Sequence, residues 1–376
     1  MLSFFILHFA LCLLHFARYP MTPIQPILEK AVAGDRISPK EAHVLLSSAD
    51  WNPIVAAGHR RRLRMHDPAV VSYTAYRVIN YTNFCDVDCS FCSFKDEIDS
   101  DRGYVLSLDE IAAKTEEALA LGADHIFIQG GVNPKLPLSY YTDALRLLSG
   151  KYGVHVRGFS PVELLRLARK ERMPLPELLA RLKEAGLASV PGAGAEILTD
   201  RMRQILSPKK LSGEDWCSVM GECHKLGLPG SSNIVFGSVE TEEDVVEHLT
   251  LIRDQQDRTG GFLSFIPWVF QPQTRKFTVR HVRGWEYLRL VAVSRLFLDN
   301  VANIEVSVLG MGKDLGELAL FAGANDINSI VIEENVLRSA GLKTLGAAVK
   351  FIREAGFTPK RRTLNYEFGK YEEAAA

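Results

Sequence analysis

Three cysteines, Cys85, Cys89 and Cys92, crowd one short stretch, Asn83-Phe84-Cys85-Asp86-Val87-Asp88-Cys89-Ser90-Phe91-Cys92-Ser93-Phe94. Thiolates are ligands for zinc and for iron–sulfur clusters, but a closed structural site takes four of them. The C-x3-C-x2-C spacing offers three. Three thiolates on one loop suit three corners of a 4Fe–4S cube and leave the fourth iron open to a small molecule, which is an arrangement for chemistry. A zinc site would need a further ligand, and no C-x2-C partner pair occurs elsewhere in the chain.

Further along, several loops carry residue types that suit a bound ligand. Gly130 and Gly131 lack a Cβ and let a backbone come close to a neighbour, in a ligand site or in a plain tight turn. Glu196 could bind a cosubstrate or simply sit at a helix start, where the helix dipole favours a carboxylate. Arg201 and Arg203 follow it and could each grip a carboxylate through a two-pronged hydrogen bond, or lie on a solvated face. Trp268, Phe270 and Gln271 form an aromatic and amide group suited to an aromatic substrate, with core packing the alternative for Phe270. Asn325 and Asp326 could bind a polar ligand or make an ordinary turn. His125, His155, His224 and His248 are scattered, and none is assigned a proton-transfer role.

The elements that must position these residues alternate regularly. Strand candidates cover residues 75–80, 125–129, 155–159, 188–191, 231–236, 263–268, 305–308 and, more weakly patterned, 329–332. Helical patterns lie between them near 108–121, 140–148, 177–185, 214–226, 242–257, 285–297 and 312–321. Eight strands alternating with helices predict an α/β fold, a (β/α)8 TIM-type barrel, with a doubly wound sheet as the other arrangement of that order. In a barrel the chemistry sits in the loops after the strands' carboxyl ends. The cysteine loop follows the first strand, Gly130-Gly131 the second, Glu196 the fourth, Gly237 the fifth and Trp268-Val269-Phe270-Gln271 the sixth. Before the barrel, Ser38-Pro39 reads as a cap and first-turn proline of a short helix. The expected organisation is an apolar extension over 1–20, a helical segment over 21–66, the barrel with a C-terminal extension over 67–367 and a tail over 368–376. For the apolar extension we expect an over-long translation start, with a membrane anchor as the alternative.

The composition constrains partners. Lys plus Arg totals 44 and Asp plus Glu 45 among 376 residues, so nothing electrostatic argues for a nucleic acid. The basic run 59–64 reads as a solvated helix end. Three of the six cysteines form one motif, which speaks against a secreted disulfide framework and for a reducing cytoplasm. Cys217 and Cys223 read as buried apolar fillers.

The cysteine motif, with Phe91 before its last member, resembles the signature of the radical S-adenosylmethionine superfamily. That resemblance implies a TIM-type barrel and a 4Fe–4S cluster held by Cys85, Cys89 and Cys92, whose open iron chelates S-adenosylmethionine. It implies that Phe91, Gly130, Gly131, Glu196, Arg201, Ile234 and Gly237 surround that cosubstrate, with Ile234 against the adenine. The stretches Asn80-Tyr81-Thr82-Asn83, Gln129-Gly130-Gly131, Gly194-Ala195-Glu196, Ser207-Pro208-Lys209-Lys210, Ile266-Pro267-Trp268-Val269-Phe270-Gln271-Pro272 and Gly323-Ala324-Asn325-Asp326 together resemble the radical cyclases of the futalosine route to menaquinone. Aminofutalosine synthases and deazaflavin-forming synthases are sister enzymes with the same cofactor; a non-catalytic iron–sulfur or zinc protein is the reading of another class. For a cyclase the resemblance implies dehypoxanthine futalosine as substrate. A 5′-deoxyadenosyl radical would take the ribose C4′ hydrogen, and ring closure on the benzoate would follow. Trp268, Phe270, Gln271, Asn325 and Asp326 would be the substrate contacts, and an electron donor such as flavodoxin or ferredoxin the partner. Two stretches depart from the pattern: the acidic segment 95–100, and Gly192-Ala193-Gly194 in place of three glycines.

Overall fold

The computed structural model describes residues 24–271, 278–306, 308–327, 330–331 and 344–371. The apolar extension, Pro272 and the two end residues of the predicted strand 329–332 lie outside the described residues. The strands are β1 (Val70–Tyr73), β2 (Ala75–Asn80), β3 (His125–Gln129), β4 (His155–Gly158), β5 (Leu187–Ser189), β6 (Gly230–Phe236), β7 (Phe262–Val269), β8 (Asn303–Ile304), β9 (Ile330–Val331) and β10 (Thr358–Arg361). β5-β4-β3-β2-β9 form one sheet and β6-β7-β8 another, every pairing parallel. Single bridges close the ring: Val190 to Gly230 on one side, and Asp326 to both Glu305 and Ser72 on the other. Closure makes this a (β/α)8 barrel and removes the doubly wound alternative, whose sheet has open edges.

Helices form where the pattern and the caps agree. Ser107, Ser160 and Thr241 each accept from the third helical residue's N–H, while Glu110, Glu163 and Asp244 reach back to the cap. These capping boxes start the helices Leu108–Ala120, Pro161–Lys170 and Glu242–Thr259. The predicted Ser38-Pro39 start holds: Pro39–Ser47 is a helix with its own capping box. Among the described residues, no helix is long and apolar enough to cross a membrane. Buried Cys217 and Cys223 sit in the core, as fillers would.

Side chains alternate between two faces along each strand. Arg77 points out to Glu117 on the helix Leu108–Ala120 (2.6 Å), and Phe236 stacks on Tyr287 of the outer helix Gly284–Phe297. Tyr76, Phe127, Arg157 and Ser231 face the lumen: Tyr76 packs on Phe127, the Arg157 guanidinium lies over the same ring, and its N–H donates to Ser231 Oγ.

The sequence pattern did not foresee β10. It pairs with β1 and brings Arg362 beneath the barrel, where the guanidinium donates to Asp326 at 2.5 and 2.9 Å. Tyr366 covers Arg362 and donates to Glu305 at 2.8 Å. The floor of the barrel is therefore a buried plug of one guanidinium, two carboxyl groups and a phenol.

Candidate active site

The cysteine loop leaves the carboxyl end of β2 and is fastened along its length. Thr82 bridges Val105, Phe84 bridges Asp96, and the Cys85 N–H donates to the Asp96 carbonyl at 3.2 Å. The acidic segment that departs from the resemblance is thus the loop's outer wall, with Lys95 between Asp88 and Glu97 and with Lys135 on Asp99. Ser90 ties the loop to the helix Asp200–Leu206, since its N–H and Oγ both donate to the Leu206 carbonyl, at 2.9 and 2.8 Å. Phe91 meets Phe270 edge to face at 5.7 Å, so the cysteine loop and the end of β7 touch across the mouth.

The donor set fits an iron–sulfur cluster. The Cys85 sulfur already accepts the Val132 N–H at 3.3 Å, the kind of backbone contact that steadies a thiolate. Burial pushes the Cys89 thiol up to about 11 and raises that of Cys85, so without a metal to take them as thiolates both stay protonated. Among the described residues no three such side chains converge as they would on a single ion. A cube, by contrast, takes each thiolate on a different iron.

Gly130 and Gly131 follow β3, and their need for glycine is steric. A Cβ on Gly131 would lie 2.2 Å from the Phe84 carbonyl oxygen and 2.9 Å from the Cys85 Cβ; one on Gly130 would lie 2.9 Å from the Tyr81 ring. Neither has a positive φ. The pair is where the second strand's loop lies flat against the cysteine loop, rather than a tight turn.

Glu163, which the sequence reading passed over, holds this junction. Its Oε1 accepts the Tyr81 hydroxyl (2.7 Å) and the Gly130 N–H (3.2 Å), while Oε2 accepts the Ser160 N–H and Oγ (2.7 and 2.6 Å). Burial raises its pKa despite those four donors. Ser160-Pro161-Val162-Glu163 carries the local signal of a capping box, but nothing local announces the reach to Gly130.

Glu196 is not the exposed helix-start carboxylate that sequence allowed. It sits at φ 39°, its carbonyl accepts the Val235 N–H, and its carboxylate is buried between Lys210 (2.7 Å) and Arg203 (3.5 Å). Arg201 turns away to Asp244 and the Val239 carbonyl, half exposed. Gly237 has φ 99°, and a Cβ there would meet Val282. Its N–H and that of Ser238 both donate to Glu240, which shapes the turn after β6.

Two expectations need correction. Ile234 shares its face with Phe236 and is wholly buried beneath the outer helices; Val235, half-buried, shares the lumen face with Ser231 and Asn233. Val235 therefore stands where Ile234 was expected. Asn325 and Asp326 lie at the opposite end of the barrel. Asn325 accepts from Arg295 (2.6 Å) and the Ile304 N–H (3.0 Å), and Asp326 is in the floor plug, so neither joins the mouth. Trp268 is registered beside Val235 on the lumen face, half-buried. Gln271 is exposed at the rim, its amide 3.4 Å from the Val269 carbonyl.

Residues 79–252 match the Radical SAM superfamily and residues 259–375 the CofH/MqnC C-terminal region. The chain is 40% identical over 349 residues to a cyclic dehypoxanthine futalosine synthase of Halalkalibacterium halodurans, covering 92% of this chain and 94% of that one. A protein of the same name from Streptomyces coelicolor is 40% identical over 359 residues, 92% and 88% of the two chains. An aminodeoxyfutalosine synthase of Thermus thermophilus is 33% identical, covering 91% and 94%. In fold, the chain is similar to methylornithine synthase (TM-score 0.70, 18% identity, 89% and 97% covered). It is equally similar to the FeFe-hydrogenase maturase HydG of Carboxydothermus hydrogenoformans (TM-score 0.71, 15% identity, 91% and 80% covered).

Proposed function

The chain belongs to the radical SAM superfamily, and from that premise we propose that it is a radical cyclase converting dehypoxanthine futalosine to its cyclic product on the way to menaquinone. The observation that carries this is the 40% identity, along nearly the whole of both chains, to two cyclic dehypoxanthine futalosine synthases, against 33% to the sister synthase. Its cofactors are one 4Fe–4S cluster and S-adenosylmethionine. When bound and reduced, they supply a 5′-deoxyadenosyl radical able to take the ribose C4′ hydrogen, a C–H bond that no side-chain base could ionise near neutral pH.

In this reading the chain's own residues do four things. Cys85, Cys89 and Cys92 hold three irons. Gly130 and Gly131, steadied by Glu163, would form the wall against which S-adenosylmethionine binds, and Gly237 with Val235 would form the opposite wall. Phe91 and Phe270 close the mouth and keep water from the radical. Trp268, facing the lumen beside Val235, offers a flat surface to the benzoate. A small redox protein such as flavodoxin or ferredoxin delivers the electron.

The test is anaerobic incubation of the reduced protein with dehypoxanthine futalosine and S-adenosylmethionine, followed by mass spectrometry. Ring closure by loss of one hydrogen atom, then one electron and one proton, yields a product lighter by two hydrogens, together with 5′-deoxyadenosine. C89A should produce neither. Product of unchanged mass, or substrate loss equally fast without S-adenosylmethionine, would overturn the assignment.

A further inference from the structure

Lys210 is a charged side chain that the mechanism above does not use, and its placement is costly. The turn after the helix Asp200–Leu206 carries it under the mouth, and the Lys210 N–H closes that turn on the Ser207 carbonyl at 2.9 Å. Its side chain is only 9% exposed. The ammonium donates to Glu196 Oε1 at 2.7 Å and sits 5.4 Å over the ring of Phe91, the residue between two cluster cysteines in sequence order. Ser90 fixes the geometry, because both its hydrogen bonds hold the cysteine loop to the end of the same helix.

Arg203 enters the same pocket, 5% exposed. One nitrogen donates to the Gly194 carbonyl, but Nε and Nη2 are buried without a hydrogen-bond partner among the described residues, as is Glu196 Oε2. Two cations and one carboxylate leave a surplus positive charge in a low-dielectric pocket. Such a surplus is expensive unless an anionic charge stands beside it. The cysteine loop supplies that neighbour: Phe91 lies 5.4 Å from the Lys210 ammonium, and a cluster held on Cys89 and Cys92 would bring the anionic charge.

We propose that Lys210 is a fixed counter-charge that raises the reduction potential of the cluster on Cys85, Cys89 and Cys92, with Glu196 as the carboxylate that moderates it. The proposal rests on the cluster reading of the three cysteines. An iron–sulfur potential follows the net charge around the cluster, and adding an electron is easier beside a cation. Lys210 and Glu196 thus have opposite effects, and Lys210 is a positioning charge rather than a ligand.

The experiment is a potentiometric titration of the anaerobically purified protein, read by electron paramagnetic resonance of the reduced cluster without S-adenosylmethionine. K210M should move the midpoint negative, by at least the tenfold change in the one-electron equilibrium that ~59 mV represents. K210R, which keeps the charge, should stay near wild type, and E196Q should move the midpoint positive. If K210M fails to load iron, E196Q alone decides. Midpoints that stay at the wild-type value, or that move the same way in K210M and E196Q, overturn the proposal. Wild-type protein that binds no iron and sulfide would instead overturn the cluster reading beneath it.

Discussion

Replacing Gly131 by alanine should cost this protein its cluster before it costs it its fold. The added Cβ would lie 2.2 Å from the Phe84 carbonyl oxygen, with the Phe84 carbonyl carbon at 2.7 Å and the Cys85 Cβ at 2.9 Å. Reaching ordinary contact distance requires the loop to retreat by roughly 1 Å. The obstacle is backbone, so no rotamer change relieves it. That retreat stretches the Gly131 N–H bond to the Thr82 carbonyl (2.8 Å) and the Asp86 N–H bond to the Val132 carbonyl (3.0 Å). It also stretches the Val132 N–H contact to the Cys85 sulfur (3.3 Å). Overpacking of this kind costs about 1–3 kcal/mol, which a domain of this size survives, but a three-cysteine site displaced by that much cannot hold its irons in register. The assay is iron and sulfide content after anaerobic reconstitution, with circular dichroism as the check on folding. Two other glycines set the scale. G130A meets the Tyr81 ring at 2.9 Å and the Thr82 carbonyl oxygen at 3.0 Å, a milder clash than 2.2 Å, and should lose less, and G150A, with nothing within 4 Å, should load like wild type. G131A protein that takes up as much iron as G150A would refute the steric argument.

The remaining predictions test other parts of the structure. In E163Q one amide group must face either the Gly130 or the Ser160 N–H, leaving a buried donor unpaired; a loss of about 1–3 kcal/mol in urea unfolding is expected, with weaker S-adenosylmethionine binding by calorimetry. Unchanged binding would remove Glu163 from the site. D326N takes from buried Arg362 the nearer of its two carboxylates, leaving Glu305 at 3.6 Å, and should destabilise the fold by up to about 3–5 kcal/mol while leaving KM for the substrate unchanged; a raised KM in folded protein would return Asp326 to the site. Burial holds His66, His155 and His224 down at about 4 and His248 at about 3. The unfolded chain binds those protons from about pH 6.5 downward and the native chain does not, so stability should fall as pH drops from 6.5 toward 4, by up to ~1.4 kcal/mol per pH unit for each histidine. Urea midpoints equal at pH 7 and pH 5 would contradict this.

Much of the site was legible because its residues act locally. The cysteine spacing fixes a three-ligand loop whatever surrounds it, and the order of strands and helices names a barrel rim on which the loop sits. Asn325 and Asp326 show how the same logic can be misapplied: they precede the eighth strand, so the rule that places the cysteines at the carboxyl ends places these two at the floor. Ile234 shows the limit of a motif without a pleat, since a shift of one residue exchanges the lumen for the outer helices. Glu163 and Lys210 were illegible for another reason. Each reads as an ordinary helix or turn charge, and only the packing of distant loops turns it inward.

The last strand finishes the barrel. Tyr73, near the start of the first wall, receives its partner from Arg362 near the end of the chain. Residues 358–366 close the floor, and without them water could reach the lumen from the side away from the cysteines. Trimming the protein before Thr358 would remove Arg362 and Tyr366 from the floor and spoil a reaction chamber whose working parts lie at the other end.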